Sequence, residues 1–87
     1  PNTFRSQVQA VLKEIEDLLV EKNESYGDSA LNPVRVFSDL DVDERLNVRI
    51  DDKLHRLASG REFGQEDTVQ DLMGYLVLKR VREAQRN

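Results

Sequence analysis

Lys22 and Tyr26 stand four residues apart, so on a helix they share one face. An ammonium group beside an aromatic ring can hold a phosphate while the ring stacks on a base. The same two residues also suit the close of a helix, where lysine complements the negative end and tyrosine packs on the following loop. A second group is Arg49, Asp52, Lys53 and Arg56, spaced i, i+3, i+4 and i+7. That spacing lines them up as one stripe of three cations and a carboxylate. The stripe can form an anion-binding wall, or it can be a solvated face whose ion pairs contribute about 0.3–0.5 kcal/mol each.

Asp67 and Asp71 are one turn apart, with Tyr75 a further turn along. Two carboxylates on one face can hold Mg²⁺, which takes oxygen ligands. The simpler alternative has Asp67 favouring the helix start and Asp71 pairing with a cation of the preceding helix. Gly74, in the middle of the same segment, costs a helix about 1 kcal/mol against alanine and points to a close approach by another helix or a ligand. His55 is the lone histidine and has no Cys, Ser or second His at a suggestive spacing, so it reads as structural or exposed. With no nucleophile elbow, Walker-type phosphate loop or zinc signature, nucleophilic catalysis has little support.

These side chains must be carried by helices. Phe4, Val8, Val11, Leu12, Ile15, Leu18 and Leu19 recur at steps of three and four, which predicts a helix from about Thr3 to Ser25 closed by Gly27. A connector then runs from Asp28 to about Leu40, where Pro33 keeps Asn32 out of helical space. Val34, Val36 and Phe37 are too apolar for a solvated loop and are expected to dock on the core. Asp41-Val42-Asp43-Glu44 reads as a capping box that opens a second helix ending at Ser59, before Gly60. Its expected buried stripe is Leu46, Ile50, Leu54 and Leu57. A third helix is expected from about Gln65 to Arg86, burying Val69, Leu72, Met73, Leu76, Val77 and Val81. Strand alternation, internal repeats and low-complexity tracts are absent from the sequence.

Composition sets the outer limits. The chain has 87 residues and no cysteine, and its 13 Lys and Arg against 17 Asp and Glu leave a net charge of −4. The acidic balance argues against general binding to duplex nucleic acid, where a basic surface supplies most of the affinity. A single domain this small buries little apolar surface and has neither disulfides nor a zinc cluster to support it. Val20, Val48, Tyr75 and Leu78 fall off the main stripes, so three helices cannot hide every apolar residue, and a bundle completed by a second chain is expected. Without a signal-peptide layout or an apolar run long enough to span a bilayer, the expected location is the cytoplasm, with no membrane partner.

Taken together, three segments resemble a known family. Lys22-x-x-x-Tyr26-Gly27-Asp28, Asp52-Lys53-Leu54-His55-Arg56-Leu57 and Glu66-Asp67-Thr68-Val69-Gln70-Asp71-Leu72-Met73-Gly74-Tyr75 are similar, in order and spacing, to the motifs of small phage and bacterial domains called nucleotide-modification-associated. That family is related to the MazG-like all-α nucleoside triphosphate pyrophosphatases, helical oligomers that hold Mg²⁺ with an E-x-x-E and then an E-x-x-D pattern. The resemblance implies a MazG-like bundle and a nucleotide held at its interface by Lys22, Tyr26, Lys53, Arg56, Asp71 and Tyr75. Here, however, the first helix offers Glu14-x-x-Asp17 and then Glu21, and the third offers Asp67-x-x-x-Asp71.

The expectations are therefore as follows. The fold is all-α, a three-helix unit with a long first connector, completed by oligomerisation. The function is binding a small nucleotide without cleaving it, in the setting of a phage protein that sequesters an ADP-ribose-type or cyclic immune signal. The ligand-binding set is Lys22, Tyr26, Asn32, Arg49, Asp52, Lys53, Arg56, Asp71 and Tyr75, with no catalytic residue, metal or cofactor. The alternative is a Mg²⁺-dependent nucleotide pyrophosphatase with Glu21, Asp67 and Asp71 around the ion.

Overall fold

Three helices form in the order expected, each opened or closed by a recognisable local signal. In the computed structural model, which describes residues 3–33, 38, 40–60 and 67–86, α1 spans Phe4–Ser25, α2 Val42–Ser59 and α3 Thr68–Arg86. Among the described residues there is no strand, and the chain is an all-α three-helix unit.

At the head of α1, Thr3 accepts from the Ser6 amide at 3.2 Å, while the Ser6 hydroxyl donates to the Thr3 carbonyl at 2.9 Å. This satisfies a first-turn amide that has no partner within the helix. Tyr26 caps the other end, its amide bonding the Lys22 carbonyl at 2.9 Å. The chain then turns through two successive left-handed residues, Gly27 and Asp28. Aspartate is one of the few side chains that tolerates this region. In the following turn the Asn32 amide group donates to the Asp28 carboxylate. The expected docking of Val34, Val36 and Phe37 lies outside the described residues.

Asp41 caps α2, with Oδ1 accepting from the Glu44 amide at 2.8 Å. The expected box is only half built, because among the described residues Glu44 makes no return bond. Gly60, at φ 70°, ends the helix in the left-handed conformation. The described α3 begins at Thr68, and Asp67 accepts from the Gln70 amide at 2.9 Å as its cap. The expected start at Gln65 lies outside the described residues.

α2 and α3 pack as an antiparallel pair, and polar rungs set their register. Lys53 pairs with Asp71 at 3.3 Å, Lys79 Nζ donates to Asn47 Oδ1 at 2.7 Å, and Asp43 accepts from Arg86 and faces Arg82 at 4.0 Å. As the residue number falls on α2 it rises on α3, rung by rung. This pairing turns both helices away from the faces their apolar residues suggest. On α2 the covered line is Val42, Leu46, Ile50 and Lys53, while Leu54 and Leu57 are exposed. On α3 the covered positions include Thr68, Asp71, Gly74 and Leu78, while Val69, Leu76, Val77 and Val81 are exposed. The two expected stripes are thus corrected in part: Leu46 and Ile50 on α2 and Leu72 and Met73 on α3 are covered as expected, while the other members of each stripe are exposed.

α1 packs on α3 and, among the described residues, makes no close backbone approach to α2. Leu19 Cδ2 lies over Gly74, where a Cβ would meet it at 3.4 Å, so the mid-helix glycine marks a close helix approach. Because two helices share α3 while their backbones stay apart, a gap is left between them. The radius of gyration is 14.7 Å, against about 12 Å for a compact chain of this length.

Candidate functional site: a cleft between the first and second helices

The gap that α1 and α2 leave above α3 is a cleft of about 820 Å³. That lies within the range of about 300–1,000 Å³ typical of small-molecule sites. α1 contributes Lys22 to one wall, and the turn after it contributes Tyr26. α2 contributes Arg45, Arg49 and Asp52 to the other wall. α3 supplies Asp71, Gly74 and Tyr75. The apolar lining includes Leu18, Leu19, Leu46 and Leu78.

Six of the nine residues expected to bind ligand therefore meet in one place: Lys22, Tyr26, Arg49, Asp52, Asp71 and Tyr75. Three do not line it. Asn32 is engaged with Asp28 in the turn after α1. Lys53 is 8% exposed and held against Asp71 in the α2–α3 seam. Arg56 lies 3.2 Å from Asp52, one turn further along α2. Lys53 and Arg56 act on the cleft through the acids they neutralise.

That neutralisation sets the electrostatics. Both acids of the cleft are already compensated, Asp71 by Lys53 and Asp52 by Arg56. Lys22 and Arg49, by contrast, have no carboxylate within ion-pair distance among the described residues. They face the same gap from different helices. Arg45 adds a third positive group; its Nε donates to the Leu40 carbonyl at 3.1 Å, which holds the side chain along the wall. Though the chain as a whole is acidic, this wall is locally positive. Among the described residues, an incoming anion meets two cations without acidic partners and no unpaired acid.

Two aromatic rings accompany them. Tyr26 is 69% exposed at the helix cap, and Tyr75 is half-buried on α3. Rings placed beside cations in a partly apolar gap suit a flat, charged ligand, which stacks through its planar part and pairs through its anionic part.

The chain matches no protein-family model, no curated protein and no solved structure. The cleft's own chemistry carries the functional reading.

Arg45 was legible and missed. It stands four residues before Arg49, so the stripe of Arg49, Asp52 and Arg56 extends one turn further towards the start of α2. The apolar lining could not be read in the same way, because Leu18, Leu46 and Leu78 look like ordinary core residues. The acidic set of the pyrophosphatase alternative does not assemble. Asp67 caps α3, Asp71 is paired with Lys53, and no group of three His, Asp or Glu side chains gathers among the described residues. His55 is exposed, as expected. Among the described residues no helix is long and apolar enough to cross a membrane.

Proposed function

We propose that this protein binds a small nucleotide in the cleft between α1 and α2, holds it without cleaving it, and works as a homo-oligomer. The observation that carries the reading is the pair of cations without acidic partners among the described residues, Lys22 and Arg49, on opposite walls of a cleft that also holds Tyr26 and Tyr75. Phosphate oxygens accept charge-assisted hydrogen bonds from both, and a base or ribose lies against the rings and the apolar lining. The acids in the cleft are occupied by Lys53 and Arg56, which supports holding over metal-assisted hydrolysis. The motif resemblance to nucleotide-modification-associated and MazG-like domains points the same way. In a phage setting, such a binder withdraws a nucleotide immune signal, ADP-ribose-like or cyclic, from the host cytoplasm.

The test is a thermal-shift and calorimetry panel of nucleoside mono-, di- and triphosphates, ADP-ribose compounds and cyclic nucleotides. A ligand at a hundred times its Kd stabilises the folded chain by about 2.7 kcal/mol. Intact ligand recovered after heat denaturation supports holding. Pyrophosphate or monophosphate released in the presence of Mg²⁺ replaces holding with hydrolysis. No stabilisation by any member of the panel ends both.

A further inference from the structure

The first half of α1 carries an apolar stripe that the chain leaves uncovered. Phe4, Val8, Val11 and Leu12 are all exposed, Phe4 at 81%. With Met73 of α3 they line a second, shallow groove of about 330 Å³ whose surface is almost wholly apolar. Phe4, Val8, Val11, Ile15 and Leu18 alternate steps of four and three, the spacing of a seam along which two helices pair. Ile15 is buried and Leu18 half-buried, whereas the three members before them lie bare. One end of the seam is used within the chain and the other is open.

The molecule's surface indicates how much is left to cover. Its accessible area is 6872 Å², against about 5,300 Å² for a compact monomer of 10.1 kDa. That excess of roughly 1,600 Å² is shared between the open cleft and this face, and half of it equals the ~800 Å² that one partner contributes to a standard interface. A second copy brings the same stripe, so a two-fold contact is self-complementary. Nor does the contact strand a charge: Lys13 is engaged with Glu16 and Asp17 at 3.3 and 2.7 Å on the polar side of α1.

We infer that the Phe4, Val8, Val11 and Leu12 stripe, with Met73 beside it, is the face through which two copies of this chain associate. This rests on the self-association part of the proposed function and is independent of the ligand. It also leaves the cleft accessible, because Lys22 and Tyr26 stand at the opposite end of the same helix.

Sedimentation velocity over a concentration series tests it, with wild type, Phe4→Ser, Val8→Asp and Leu54→Asp compared. Leu54 is a control, since it is also exposed but lies on α2. A charge buried in an apolar seam weakens association by more than about tenfold. The expected result is an oligomeric wild type, monomeric Phe4→Ser and Val8→Asp variants with helical circular dichroism retained, and an unaffected Leu54→Asp. Because the chain has no cysteine, Val8→Cys and Val11→Cys serve as a second readout should Val8→Asp unfold. At least one of them is expected to give a disulfide-linked dimer on mild oxidation, and Leu54→Cys is not. An oligomer that survives the α1 variants, or crosslinks only through Leu54→Cys, overturns the assignment of the face. A wild type that stays monomeric at every concentration overturns self-association itself.

Discussion

Lys53 Nζ lies 3.3 Å from Asp71 Oδ2, and this pair ties the body of α2 to the first turn of α3. A part-buried pair adds little net stability when compared with a well-packed apolar one, but removing the carboxylate takes a counter-charge from Lys53, which is 8% exposed. Asp71→Ala is therefore expected to cost about 1–2 kcal/mol, which in a domain of this size lowers Tm by roughly 5–10 °C. Lys53→Met combined with Asp71→Leu is expected to recover most of that loss. Thermal melts of the two single variants and the double variant measure the difference, and additive losses would show that the two side chains are not coupled.

Asp41 accepts from the Glu44 amide at 2.8 Å, and among the described residues the Glu44 carboxylate accepts no bond in return. Asp41→Ala should destabilise by about 1 kcal/mol, and Glu44→Ala by much less. Urea unfolding of the two variants separates them. Equal losses would mean that the reciprocal bond forms in solution.

Gly74 offers a cleaner distinction between propensity and packing. A Cβ there meets Leu19 Cδ2 at 3.4 Å, an ordinary contact distance, while alanine is favoured over glycine in a helix by about 1 kcal/mol. Gly74→Ala is expected to be neutral or to stabilise by up to about 1 kcal/mol. Gly74→Leu is expected to push α1 off α3, destabilising the fold and filling part of the cleft. Chemical denaturation measures the first effect, and loss of ligand binding at temperatures where the variant stays folded measures the second.

Arg49 and Arg56 occupy the same stripe but differ in what they touch. Arg49 lines the cleft without an acidic partner among the described residues; Arg56 is engaged with Asp52 and does not line it. For the nucleotide that most stabilises the wild type, Arg49→Ala should weaken binding by about tenfold or more, the loss of one charge-assisted hydrogen bond. Arg56→Ala should weaken it several times less. Titration calorimetry in low and high salt checks both, since the Arg49 contribution falls as salt screens it. A reversed order would move the anion site further along α2.

The helices were legible in the sequence because their signals are local. A run of apolar residues at steps of three and four, an Asp or Thr at the head and a glycine at the end act within one or two turns. The bounds of α1 and α2 accordingly fall within a residue of expectation, and Gly74 announces a close helix approach before the neighbour is known. The cationic stripe on α2 was legible for the same reason, as was the Lys22–Tyr26 pair at the end of α1. Arg45 could have been added by counting one more turn.

What the sequence by itself determined, then, is three helices, their caps and which side chains share a face. Tertiary structure alone decided how each helix is rotated and which faces meet. Leu54 and Leu57 made the α2 stripe look apolar, yet α3 meets the line through Val42, Leu46, Ile50 and Lys53, because Asp43, Asn47 and Lys53 find partners on α3. Those partners are more than a dozen residues away along the chain, and no local pattern encodes them. The cleft has the same origin. α1 and α2 both rest on α3 and not on each other, and the space between them gathers Lys22, Tyr26 and Arg49 from segments that the sequence holds far apart.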